Sequence, residues 1–143
     1  MGRILGIDYG SKRTGIAATD LLRIIASPLT TVHTQDLLRF LNEYIGREKV
    51  DAIVVGKPVQ RDGTPSPVEA HITGFIRKFQ KEHPQVPVFR MDERYTSKMA
   101  QQALIDAGAS RKDRMNKGLT DTVSAGIILQ SFLESKDYRD AGL

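Results

Sequence analysis

The opening stretch of the chain, an apolar run that ends in a carboxylate and a glycine, most constrains the fold. Residues 3–7 are mostly apolar and β-prone, and Asp8 and Gly10 end this run. A short basic turn at residues 11–13 follows, and a second run begins at residues 14–17. The pattern predicts a β-hairpin with Asp8 at its mouth. A carboxylate at the inner end of a core strand costs free energy unless a cation or hydrogen-bond donors meet it. We therefore expect a partner for Asp8 elsewhere in the chain.

Composition limits the chemistry that this chain can perform. Its 143 residues suit one domain over 1–143 that buries a real core, and its net charge of +4 leans towards polyanionic partners without deciding the matter. The chain has no cysteine, which excludes disulfides, thiolate nucleophiles and zinc-ribbon sites. No apolar run has the length of a signal peptide core or a membrane span, so we expect a cytoplasmic protein without a membrane partner.

The rest of the chain alternates between predicted strands and helices. A third strand is predicted at Leu22–Ser27, and Pro28 marks its end. A nearly continuous apolar run at residues 51–56 predicts a buried parallel strand. Further predicted elements are a helix capped by Thr34, a helix after the capping box at 66–69, a strand at 86–91, helices at about 97–107 and 119–135, and a frayed tail at 136–143.

This order of elements predicts a fold class. Three antiparallel strands precede a helix, a strand, a helix, a strand and two further helices, with no internal repeat or linker. We therefore expect a single α/β domain with the RNase H-like fold: a mixed five-stranded sheet, three strands antiparallel and then two parallel, flanked by helices.

Three carboxylates occupy the ends of predicted elements. Asp8 and Glu93 end strands, and Asp121 shares one helical stripe with the apolar residues 125, 128, 129 and 132. Each acid has an ordinary explanation: a turn residue for Asp8, a solvated turn for Glu93, and a complement to the helix dipole for Asp121. Together, however, they would repel one another and raise their own pKa values unless a cation compensated them. The three acids therefore predict a metal site.

Oxygen ligands without cysteine or paired histidine favour Mg²⁺ or Mn²⁺, and such ions usually serve phosphate chemistry. One or two such ions would assist hydrolysis of a phosphodiester. Basic residues in the surrounding loops are candidates for binding a nucleic-acid backbone, although any one of them is also an ordinary surface charge. These candidates are Lys12, Arg13, Lys57, Arg61, Arg94 and Lys117.

Several of these motifs together resemble one protein family. The segments that carry the resemblance are Gly6–Gly10 with Arg13–Ala17, Asp92–Ser97 with Ala100, and Asn116–Gly118 with Asp121, Ser124–Ala125 and Ile127–Leu129. On these residues the chain resembles the YqgF family of Holliday junction resolvases, also described as RNases that act on the precursor of small-subunit ribosomal RNA. The resemblance covers nearly the whole chain.

The resemblance implies an RNase H-like nuclease whose acidic triad maps onto Asp8, Glu93 and Asp121. It also implies a bacterial cytoplasmic protein in ribosome maturation. The chain departs from the family in the loop after the fourth strand, where Gly56–Gly63 replaces the usual Gly-Leu-Pro and asparagine-containing loop. Related resolvases carry an acid at the end of strand four. Gly56 and Lys57 stand at that position here and neither is acidic, so Glu93 must substitute from strand five.

The leading interpretation is a metal-dependent endonuclease or exonuclease that processes the precursor of 16S ribosomal RNA. A Holliday junction DNA resolvase is the alternative substrate class, and either enzyme acts as a monomer or a homodimer. A non-catalytic nucleic-acid-binding factor in ribosome assembly or transcription would share the basic loops but need no metal. Nucleotide binding of the actin-like kind is disfavoured, because that fold needs two such domains.

Overall fold

The structure, a computed structural model, describes residues 2–60, 62–92 and 117–143, with side chains in the last range described from residue 121 onward. Within these ranges the chain forms a five-stranded sheet in the order β3-β2-β1-β4-β5. Strands β1 to β3 pair antiparallel, and β1 pairs with β4 and β4 with β5 in parallel, as predicted. The strands are β1 Arg3–Tyr9, β2 Arg13–Thr19, β3 Ala26–His33, β4 Val50–Lys57 and β5 Val88–Asp92.

Helices cover both faces of the sheet. The described helices are α1 Leu37–Arg47, α2 Glu69–Glu82, α3 Lys117–Leu133 and α4 Lys136–Ala141. The helix predicted at 97–107 lies outside the described residues. Among the helices described, none is long and apolar enough to cross a membrane.

Strand alternation divides the core into two layers. Leu5 and Ile7 of β1 pack with the apolar faces of α1 and α2, and Ile4 packs with the apolar stripe of α3. At Gly6, a Cβ atom would lie 2.7 Å from the Cβ of Leu129, so the absence of a side chain lets α3 lie directly on β1. Every second residue of β1 therefore faces α3, which fixes the direction of Asp8.

The third strand lies later in the chain than predicted. It spans Ala26–His33 and includes Pro28, which an edge strand tolerates because its outer N–H groups need no partner in the sheet. Residues 20–25 instead form a connection, in which Asp20 Oδ1 accepts hydrogen bonds from the N–H groups of Ile24 and Ile25 at 2.8 and 3.1 Å. The prediction of a strand at Leu22–Ser27 was wrong because these local hydrogen bonds outcompete strand pairing.

Arg23 anchors this connection to the start of the sheet. It has a left-handed backbone with φ of 58°, and its buried guanidinium donates to the carbonyl of Gly2 at 2.9 Å and pairs with Asp51. The apolar side chains around it, Leu22 and Ile24 among them, remain exposed. Apolar residues that suggested a strand therefore lie on the surface.

The tail expected to fray forms the short helix α4. Ser135 caps it by accepting a hydrogen bond from the N–H of Tyr138, and the Tyr138 ring lies 5.6 Å from that of Phe132. Together with Leu143, Tyr138 covers the layer beneath α3.

Candidate active site

Asp8 lies at the carboxyl end of β1 on the face that α3 covers. It is two residues beyond Gly6, whose Cα faces α3, and it pairs with Gly15 of β2. Paired residues of antiparallel strands present their side chains to the same face. The Asp8 carboxylate therefore projects from the edge of the sheet towards the beginning of α3.

Gly15 brings Asp121 to the same place. A Cβ atom on Gly15 would lie 2.1 Å from the carbonyl oxygen and 2.3 Å from the carbonyl carbon of Asp121, so only a glycine lets the backbone of α3 lie this close to β2. Gly15 is the direct cross-strand partner of Asp8. Two of the three predicted acids thus share one face and one end of the sheet, although 113 residues separate them in sequence.

Arg13 supplies a positive charge beside Asp121. Its Nε lies 3.8 Å from Oδ2 of Asp121, which makes an ion pair too long to be a hydrogen bond. This Nε is buried and has no hydrogen-bond acceptor among the described residues. Asp121 and residues 10–13 together line an open depression of about 500 Å³, into which the exposed Lys12 also faces.

Thr34 holds the turn that carries Lys12 and Arg13. Its hydroxyl donates to the carbonyl of Gly10 at 2.6 Å and lies 2.9 Å from the hydroxyl of Thr14, and its N–H donates to the carbonyl of Lys12 at 2.9 Å. The prediction that Thr34 caps a helix was wrong: a 3-10 turn, Thr34–Asp36, precedes α1, and no side chain caps it. Sequence reasoning missed this positioning role because the bonds join residues 20 or more positions apart.

The ends of β4 and β5 complete this edge of the sheet. Arg90 donates to the carbonyls of Val55 and Gly56 at 3.2 and 3.0 Å and to Glu69 Oε1 of α2 at 2.6 Å. No sequence signal pointed to this pair. Lys57 ends β4 and is exposed, but strand alternation places it on the face of α1 and α2, opposite to Asp8.

The third predicted acid and several basic residues fall outside the described ranges. Glu93, Arg94 and Arg61 are not described, and of Lys117 only the backbone is. Asp92, the last described residue of β5, follows Met91, which packs in the layer beneath α3. Alternation therefore places Asp92 on the face opposite to Asp8, and it does not replace Glu93.

The pair Asp8 and Asp121 has the chemistry that suits a hard divalent cation, because both side chains are carboxylates and neither histidine nor sulfur lies among the residues that line the depression. Within the described ranges, no group of three or more metal-ligating side chains is found. Two carboxylates and a flanking arginine thus form the described part of this candidate site.

Comparison with known proteins identifies the family that the chain matches. The model of the family described as RuvX, Holliday junction resolvase, matches residues 2–135. A protein of Christiangramia forsetii named "Putative pre-16S rRNA nuclease" is 53% identical over 93% of this chain and 98% of its own length. A protein of Flavobacterium johnsoniae with the same name is 52% identical over 96% of this chain and 100% of its own.

A solved structure, Thermus thermophilus RuvC in complex with a Holliday junction substrate, matches with a TM-score of 0.56 at 17% identity. The match covers 99% of this chain and 97% of RuvC. This likeness concerns the fold, and it confirms the prediction of the RNase H-like fold with a mixed sheet flanked by helices.

Proposed function

The chain belongs to the RuvX family of Holliday junction resolvases, also called YqgF, and on this basis we propose that it is a metal-dependent nuclease that processes the precursor of 16S ribosomal RNA. The observation that carries the proposal is the convergence of Asp8 and Asp121 at Gly15, beside Arg13. Close relatives that match over their full length bear the name of this activity. Because such precursors are made in the bacterial cytoplasm, the proposal includes a cytoplasmic location.

In this proposal Asp8, Glu93 and Asp121 hold one or two Mg²⁺ or Mn²⁺ ions. Bound metal would supply an activated water and stabilise the leaving oxygen of the phosphodiester. Alternation along β5 places the Asp92 side chain on the face opposite to Asp8. This alternation supports Glu93, rather than Asp92, as the third ligand.

The basic residues have a separate task. Arg13 and Lys12 line the depression beside the acids and would bind the phosphate backbone next to the cleavage position. Lys57, Arg61, Arg94 and Lys117 complete the proposed set of backbone-binding residues. Phosphate contacts fix the position of a strand without reading its sequence, which suits a processing nuclease directed by RNA structure.

Cleavage of a precursor fragment in Mn²⁺ tests the proposal, with chelator and the Asp8→Asn variant as controls. We expect Asp8→Asn to abolish cleavage and to retain the fold and the affinity for RNA, because the amide keeps the shape of the side chain and loses its charge. Undiminished cleavage by purified Asp8→Asn would overturn the assignment. Binding without any metal-dependent cleavage by the wild-type protein would instead favour the non-catalytic assembly factor.

Cleavage of a four-way DNA junction is the second candidate function, and the description of the family favours it. A resolvase must cut two strands symmetrically, which calls for a homodimer with a two-fold axis. Junction cleavage measured beside the RNA substrate, with light scattering to determine the oligomeric state, separates the two functions.

A further inference from the structure

A second concave surface lies on the opposite face of the sheet, between the start of α1 and α2. This cleft, of about 580 Å³, is lined by Tyr9, Ser11, Gln35, His71, Phe75 and Lys78, among others. Its volume lies within the range of small-ligand sites. None of the residues that form the acidic pair lines it, so the site described above does not account for it.

The cleft and the depression at Asp121 meet at the turn between β1 and β2. Ser11 lines both concavities. Asp8 and Tyr9 are consecutive residues of β1, so their side chains lie on opposite faces of the same end of the sheet. A nucleic-acid strand with one phosphate at Asp8 would therefore pass around this turn, and its neighbouring nucleotides would reach the cleft.

The lining of the cleft matches the chemistry of an unpaired nucleotide. Tyr9 is partly exposed, and its ring centroid lies 5.8 Å from that of Phe75, which provides an aromatic surface for a base. Lys78 supplies positive charge for a phosphate, and no carboxylate is found among the described residues that line the cleft.

We propose that the cleft between α1 and α2 binds an unpaired nucleotide of the substrate strand, next to the nucleotide whose phosphate lies at Asp8 and Asp121. The proposal rests on the proposed nuclease function. It adds a requirement for single-stranded nucleic acid beside the cleavage position, because a paired base cannot stack in a cleft on an aromatic ring.

Two helical glycines provide a matched test. A Cβ atom on Gly74, which lines the cleft, would have no heavy atom within 4 Å, and the same holds for Gly46 of α1, which does not line it. Leucine at either position improves helix propensity, so both variants should fold. The Gly74→Leu side chain fills the cleft, whereas that of Gly46→Leu enters open space elsewhere.

The probe is a fluorescently labelled single-stranded RNA pentamer, with binding measured by anisotropy in chelator so that no chemistry occurs. We expect Gly74→Leu to weaken binding about tenfold, as loss of one stacked base does, and Gly46→Leu to bind as the wild type. Lys78→Gln should also weaken binding and lower the slope of log affinity against log salt by about one. Equal binding by Gly74→Leu and Gly46→Leu, or no binding by the wild type, would overturn the proposal.

The same variants separate failure of this proposal from failure of the proposed function. If the wild type cleaves precursor RNA and Gly74→Leu binds and cleaves equally well, the cleft has no such role and the nuclease remains. If Gly74→Leu selectively loses pentamer binding but the wild type never cleaves, the cleft binds nucleotides and the nuclease assignment fails.

Discussion

Replacement of Gly15 by alanine is the most direct test of how the site is assembled. The added Cβ would lie 2.1 Å from the carbonyl oxygen of Asp121 and 2.8 Å from the N–H nitrogen of Thr122, whereas ordinary contacts begin near 3.4 Å. Both obstacles are backbone atoms of α3, so no side-chain rotation relieves the clash. The backbone of α3 at Asp121 must therefore move by on the order of 1 Å, which carries the Asp121 side chain away from Asp8.

We expect two measurable effects from this displacement. Overpacking of this kind costs about 1–3 kcal/mol of unfolding free energy, or roughly 3–9 °C in Tm for a chain of this size. A displacement of about 1 Å at a catalytic group lowers the rate about 100-fold. Chemical denaturation measures the first effect, and single-turnover cleavage of a precursor fragment measures the second.

Gly126→Ala is the matched control on the same helix. Its Cβ would meet Pro28 at 3.7 Å, an ordinary contact, and alanine improves helix propensity by up to about 1 kcal/mol. We expect Gly126→Ala to be at least as stable as the wild type and fully active. If Gly15→Ala matched Gly126→Ala in both stability and rate, α3 would not rest on Gly15 and our account of the site would be wrong.

Three further predictions concern residues whose polar contacts stabilise the fold. Thr34→Val should lower stability by about 1–2 kcal/mol and reduce cleavage, because the carbonyl of Gly10 loses its donor. Thr34→Ser keeps the hydroxyl and should match the wild type in denaturation and rate measurements. Arg90→Met should cost about 2 kcal/mol in denaturation experiments, since it leaves Glu69 without its cation, whereas Glu69→Gln should cost less because an amide still accepts from Arg90. Burial raises the pKa of Asp51, but the Gly2 N–H and Arg23 outweigh it and hold the pKa below its ordinary value. The stabilisation from Asp51 is therefore complete above about pH 4 and is lost as pH falls through the lowered pKa, so the deficit of Asp51→Asn in urea titrations should shrink in acid; a deficit independent of pH would contradict this.

The sequence predicted the parts of the fold that depend on local pattern. The hairpin of β1 and β2 and the parallel strands β4 and β5 are long apolar segments bounded by polar turns, so periodicity alone identifies them. The placement of Asp8 at a strand end and of Asp121 on the packed stripe of a helix follows from the same patterns. Their convergence follows from the order of elements that the RNase H-like fold imposes.

The features that sequence reasoning missed depend on tertiary contacts. The stretch from Leu22 to Ser27 has strand-like composition, but the carboxylate of Asp20 and the buried guanidinium of Arg23 determine its path. Thr34 looks like a helix cap until the carbonyl of Gly10 is seen beside its hydroxyl. Nothing near Gly15 in sequence reveals that α3 lies against it, because that contact joins residues more than 100 positions apart.

The separation of Asp8 and Asp121 along the chain has a consequence for synthesis of the protein. A nascent chain that emerges from the ribosome presents the hairpin with Asp8 first and α3 only after all five strands. Until α3 has left the exit tunnel and docked on Gly15, Asp8 has no Asp121 beside it, and the emerging polypeptide carries only part of the acidic site. A protein translated beside ribosomal RNA would thus gain its cutting activity only after α3 has been made and has docked on the sheet.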